Sequence, residues 1–297
     1  MLDLFRAEWR KTLANYKTTS FLVWVIPVGV LAFYLVLIFL SMFEETFEAG
    51  VVYFGTGDWI ADSLNSWNMI IEFPSNVFTR LLPLAFMAVF IAGEYGWRTW
   101  KNTAPRTERW KLIPAKLAAL VNLVMISLLL TALISAVAPA AGHRIHGLEY
   151  GPDFTPDRLA SFLLDTVRTA FVTLLALIIL AGYAAIASLV TRSILGGLLA
   201  SFGISMLDSL ALPLLGLIGN LIHQPELVKL YPYAPSYNLS NLQSWLLRGH
   251  AAETFTIGVP MPSAGWDFWG SAIILALWML GLIGLALFVF QRQDLTE

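Results

Sequence analysis

Arg80, Asp165, Arg168 and Asp208 are ionisable residues set inside otherwise apolar stretches. Charge in a bilayer interior is costly, so it persists where it is paired or where it meets a polar substrate. Asp165 and Arg168 lie three residues apart, on one face of a helix. Two readings follow. In one, Asp165 pairs with Arg168 and Arg80 pairs with Asp208 across helices, as a structural network. In the other, the four residues form one polar cluster that lines a translocation path for a polar or charged substrate. His143 and His146 are spaced i, i+3 without a clear carboxylate partner, so no metal site is expected. No HExxH, GxSxG or GxxxxGK[ST] segment occurs, so the chain is expected to be no enzyme and to carry no nucleotide or other cofactor of its own. Cysteine is absent, which excludes disulfides and thiolate metal sites on this chain.

The elements that hold these residues are membrane spans. The chain has 297 residues, 58% hydrophobic and 13% charged, where soluble domains carry about 25% charged residues. Six apolar runs are long enough to cross a bilayer, at roughly 20–42, 76–96, 114–139, 158–191, 193–222 and 267–290. The first run is too long for a signal core and no small-residue cleavage site follows it, so no cleavable leader is expected. Spans four and five meet in a tight turn at Thr191-Arg192-Ser193. Asp208 lies about 22 Å along the fifth span, at 1.5 Å per residue. Gly196, Gly197, Gly203, Pro213, Gly216 and Gly219 permit close approach and a kink there.

Basic residues orient the chain. Arg6, Arg10, Lys11 and Lys17 precede the first span; Arg98, Lys101, Arg106, Arg109, Lys111 and Lys116 follow the second; Arg192 and Arg292 fall on the same side. The first loop, 43–75, has no Lys or Arg. The positive-inside rule places both termini in the cytoplasm of a plasma (inner) membrane protein. The formal net charge of −2 points to no nucleic-acid partner. The fold class is therefore all-α and polytopic, a single transmembrane domain over 1–297 with lipid as its first partner.

Two surface stretches stand out on the cytoplasmic side. Leu2, Phe5, Trp9, Leu13 and Tyr16 form one stripe of an amphipathic helix over 1–18, which predicts an interfacial helix. The second stretch, GEYGWRTWKNTAPRTERWKLIPAK, runs from Gly93 to Lys116. Trp97, Trp100 and Ala104 can share a face of a short helix that Pro105 ends, with Glu94 near its start. Such a projection is either an interfacial anchor or a docking knob for a cytoplasmic protein. On the opposite side, Leu239, Leu242 and Leu246 predict an amphipathic or re-entrant helix before the last span.

The Gly93–Lys116 stretch resembles the cytoplasmic loop of type-2 ABC exporter permeases. The matching positions are Glu94, Gly96, Thr99, Pro105, Arg106 or Arg109, and Lys116. The six spans, the N-terminal helix and the long outer segment before the last span agree with that family along the whole chain. Trp97 and Trp100 are heavier than is usual for this loop, and the 43–75 loop is longer. The resemblance implies a coupling helix at about 96–104 seated in a cytoplasmic ABC ATPase. The docking residues would be Glu94, Gly96, Trp97, Arg98, Thr99, Trp100, Lys101, Arg106 and Arg109. It also implies a second permease copy or homologue, with ATP and Mg held by the ATPase alone. Peptides, lipids, antibiotics, polysaccharides and ions all remain open as cargo. The alternative is a non-transporting scaffold or sensor whose basic loop recruits another cytoplasmic protein.

Overall fold

A computed structural model describes residues 1–42, 55–72, 75–97, 99–100, 108–252 and 266–293. Arg98, Lys101 and Arg106 lie outside the described residues, as does most of the expected coupling helix. The described residues contain helices and no strands, apart from an isolated bridge between Asp58 and Gly151.

In chain order the helices are α1 (Leu2–Ala14), α2 (Tyr16–Ser41), α3 (Trp59–Asn68), α4 (Asn76–Gly96), α5 (Arg109–Ile145), α6 (Pro156–Thr191), α7 (Ile194–Ser209), α8 (Ala211–Leu221), α9 (Pro235–Arg248) and α10 (Phe268–Gln291). Five of them, α2, α4, α5, α6 and α10, are long and apolar enough to cross a membrane; α7 with α8 makes a sixth if the pair is one broken span. The protein is an all-α, multi-pass membrane protein. The third span is longer than its apolar run suggests, because α5 extends from Arg109 to Ile145.

Prolines decide where these spans bend, since each removes the donor for the carbonyl four residues before it. Pro213 cannot donate to Ser209, and the fifth span breaks at Leu210, with α7 and α8 meeting at 72°. The single crossing expected over 193–222 is therefore two half-helices. Pro83 cannot donate to Thr79, and α4 has a turn at Arg80. Pro27 cannot donate to Val23; a π-helical turn covers Ser20–Trp24, and Ser127 on α5 donates its hydroxyl to Val23 O at 2.8 Å.

Small residues set the close approaches. A Cβ on Gly182 of α6 would lie 2.7 Å from Leu282 Cβ on α10. A Cβ on Gly197 would lie 3.1 Å from Ser188 Cα, across the α6–α7 turn. That turn is made by Arg192 in the left-handed region (φ 49°), followed by Ser193, whose hydroxyl caps α7 at Gly196 N. The core runs along α6, which packs against α4, α7, α9 and α10.

The segment between the first two spans holds an unexpected element. Asp58 caps α3 by accepting from Ile60 N (2.8 Å) and Ala61 N (3.3 Å). Trp59 stacks on Phe154 at 4.7 Å and donates its indole N–H to Pro152 O. The helix expected around Leu239–Leu246 is α9, with Pro235 at its start and Gly249 (φ 76°) at its end. From Pro235 to Ser244 it is buried on nearly every side. Asn241 donates to Trp266 O (2.7 Å) and Ser271 Oγ (2.8 Å) and accepts from Ala252 N (2.8 Å), tying α9 to α10.

Candidate functional site

At the end of the bundle that carries both termini, four charged side chains meet: Glu8, Glu94 and Lys116 are buried and Lys11 is partly exposed. Lys116, near the start of α5, donates to Glu8 of α1 at 2.5 Å and to Glu94 of α4 at 2.6 Å. Lys11, one turn after Glu8, donates to the same Glu94 oxygen at 2.5 Å. Thr99 donates its hydroxyl to the other Glu94 oxygen. Glu94 is 1% exposed and Lys116 2%. The geometry depends on α1 turning its polar side inward: Glu8 and Thr12 are buried, while Leu2, Leu13 and Tyr16 face outward. The stripe is split: those three face outward, while Phe5 is half-buried and Trp9 packs against the core. Glu8, Lys11 and their inward face were not singled out from the sequence. The available signal was a lone Lys116 in an apolar run, which calls for an acidic partner.

The network carries two positive and two negative groups and is neutral as a set. Desolvated charges are stable here because each has a close opposite partner, and removing one partner leaves a buried charge uncompensated. Both carboxylates are engaged by ammonium groups, so the arrangement supplies cohesion between α1, α4, α5 and the loop that begins at Trp97.

That loop is anchored at both ends. Trp97 N donates to Gly93 O (2.8 Å) and Thr99 N to Glu94 O (3.0 Å). Trp100, expected on a docking face, is 3% exposed, with its ring 4.7 Å from Phe290 of α10 and 5.6 Å from Lys116 Nζ. The reason is local: the bond from Thr99 to Glu94 turns the next residue into the bundle. Trp97 is 45% exposed and folds back over Gly93, where a Cβ would lie 2.9 Å from its ring. Gly96 has open space beside it. On the return side, Arg109 donates to Gln293 O (3.0 Å) and Gln291 O (3.3 Å), closing the end of α10. Glu108, fully solvated, is held below the usual carboxylate range by its bonds from Lys111 and the Trp110 indole. Tyr95 donates to Gln293, whose amide donates to Leu189 O at 2.6 Å.

The remaining candidates divide into two places. Arg80 and Asp208 meet at 3.4 Å near the other end of α4, both buried. Arg80 also donates to Ile70 O (2.9 Å) and Ser209 Oγ (2.9 Å). Asp208 accepts from Ser236 N at 3.0 Å in the first turn of α9, and its backbone carbonyl accepts from Ser236 Oγ at 2.7 Å. Asp165 and Arg168 pair with each other at 3.1 Å, half-exposed on α6. The four residues are not gathered into one cluster. His143 is buried with Nδ1 3.0 Å from Pro139 O. Among the described residues no group of three or more His, Asp or Glu could hold a metal ion.

Compared with known proteins, the chain matches no family model, no curated protein and no solved structure.

Proposed function

We propose that this chain is the transmembrane subunit of an ABC exporter, driven by a separate cytoplasmic ATPase. The observation that carries the reading is the anchoring of the Trp97–Glu108 loop at both ends. Glu94 ties its start to α1 and α5, and Arg109 ties its end to α10. A partner that pushes on such a loop displaces several helices together, which is what a coupling element must do. The resemblance of Glu94, Gly96, Thr99, Pro105, Arg106 or Arg109, and Lys116 to type-2 exporter permeases supplies the identity of that partner. In this reading both termini are cytoplasmic, the loop forms the coupling helix, and Trp97 with the basic residues Arg98, Lys101 and Arg106 meets the ATPase. Trp100 acts from inside as the loop's anchor. A second permease copy or homologue completes the transporter, and ATP and Mg are held by the ATPase.

The test is co-purification. The chain, tagged at its C-terminus, is isolated in mild detergent from its native membrane beside Trp97→Ala. The expected result is an ATPase at equal stoichiometry with the parent and much less with the variant. An ATPase retained equally by both would shift docking away from Trp97. No ATPase with an intact permease would favour the scaffold reading.

A further inference from the structure

Two shallow recesses join on the membrane-facing side of α1 and α5. One, of about 270 Å³, lies among Phe5, Arg6, Trp9, Arg10 and Asn122. The other, of about 290 Å³, is a crevice between α5, α6 and α10 whose walls include Leu117, Val121, Leu174, Ile178 and Ile283. Asn122 lines both. It stands in a long apolar run, about 9 Å beyond Lys116 along the helix, exposed and without a hydrogen-bond partner among the described residues. An amide facing hydrocarbon with no partner is unfavourable, so this one calls for a polar group from outside the chain. Arg6 is exposed and reaches Asp3 only at 3.8 Å, and Arg10 is exposed as well.

The site offers two guanidinium groups beside one amide, and an apolar crevice that runs along the same stretch of α5 and reaches Ile178 and Leu174 on α6. A phospholipid carries the matching groups: a phosphodiester headgroup, an ester carbonyl and an acyl chain. We propose that this recess binds one anionic phospholipid from the leaflet that surrounds the chain's termini. The phosphate sits with Arg6 and Arg10, an ester oxygen accepts from Asn122, and one acyl chain follows Ile178 and Leu174. Guanidinium suits this role because its planar donors match phosphate oxygens. The bound lipid would pack α1 against α5 from the outside, while Glu8 and Lys116 hold the same helices from within. The site stands apart from the ATPase reading and does not depend on it.

Native mass spectrometry of the delipidated full chain tests it, with phosphatidylglycerol and phosphatidylcholine of matched acyl chains as probes. The expected result is one tightly held phosphatidylglycerol and much weaker phosphatidylcholine. Each cation near an anionic headgroup adds roughly fivefold, so Arg6→Gln/Arg10→Gln should weaken phosphatidylglycerol binding about 30-fold and phosphatidylcholine binding much less, so that the preference is lost. Ala118→Trp keeps both guanidinium groups and fills the crevice that Ala118 also lines, so it should weaken both lipids. Lys17→Gln, an exposed cation outside the recess, should change neither. Equal binding of the two lipids by the parent would overturn the proposal. So would a double variant that keeps its preference for phosphatidylglycerol, an Ala118→Trp variant that binds like the parent, or a loss with Lys17→Gln as large as with the double variant.

Discussion

The two buried charge sites hang on opposite ends of the same helix, α4, yet they are built differently. Glu94 and Arg80 are separated by fourteen positions of sequence, about 21 Å along a helix. At Glu94 the partners are other side chains from intact helices, at 2.5–2.6 Å. At Arg80 the ion pair is longer, 3.4 Å, and much of the bonding goes to backbone groups or to residues beside a helix break. Pro83 and Pro213 make those breaks, and Arg80, Asp208 and Ser236 occupy the polar space they leave. The far site thus repairs backbone interruptions. The terminal site joins unbroken elements through side chains, and such contacts can be exchanged without unfolding any helix. A part meant to move belongs at the second kind of site.

Substitutions can break or sharpen this contrast. The largest loss is expected for Lys116→Met, which strands Glu8 and leaves Glu94 with Lys11 as its one ammonium partner, beside the Thr99 hydroxyl. Loss of one member of a buried ionic set costs about 3–5 kcal/mol, read as a lower thermal midpoint by tryptophan fluorescence in detergent. An unchanged midpoint would mean that the terminal site contributes no cohesion. Arg80→Met should approach the same loss, because it leaves Asp208 without its cation, with Ser236 N still donating to it, and Ile70 O without its side-chain donor. Here the damage should appear as faster amide exchange in α7 and α9, since the site holds a break. Exchange confined to α1 would contradict the distinction drawn between the two sites.

A third experiment measures coupling. Glu94→Gln and Lys116→Met should together cost less than the sum of the two alone, with a coupling of about 0.5–3 kcal/mol. Simple additivity would remove the interaction inferred at 2.6 Å. Ser127→Ala, which takes away the donor to Val23 O, should cost about 1 kcal/mol. The smallest effect is expected from Gly93→Ala. It displaces the Trp97 ring and should alter the local fluorescence while the midpoint moves little; an unaltered emission spectrum would place that ring elsewhere.

Much of the frame was legible in the sequence. Long apolar runs mark the spans, Thr191-Arg192-Ser193 marks the tight turn, and the leucine spacing after Pro235 marks α9. The site itself was only half legible. Glu94 and Lys116 stand where charge interrupts apolar sequence, so they draw attention. Glu8 and Lys11 lie in a segment already rich in charge, where nothing in the spacing says which charge turns inward. The apolar stripe of α1 is easy to see, but Glu8 and Thr12 lie along one edge of it, and only packing decides that this edge faces the protein. Trp100 shows the same limit: helical spacing relates it to Trp97, yet one indole is exposed and the other buried. Pro213 foretold a bend in the fifth span, but its 72° angle depends on how α7 and the segment after it pack. The helix α3 sits in a stretch where capping by Asp58 and packing of Trp59 on Phe154, almost a hundred residues later, are needed to fix it.

The bond from Ser127 to Val23 also bears on how the chain is made. Its partners are 104 residues apart, and synthesis reaches the first span long before the third. Until α5 is in place, α2 must reside in lipid with its proline-weakened turn lacking that donor. The first span is therefore a guest that settles only when a later one arrives. A nascent chain stopped before Ser127 should hold α2 less firmly in the bilayer than one that has passed it, a difference that stepwise truncation and alkaline extraction would measure.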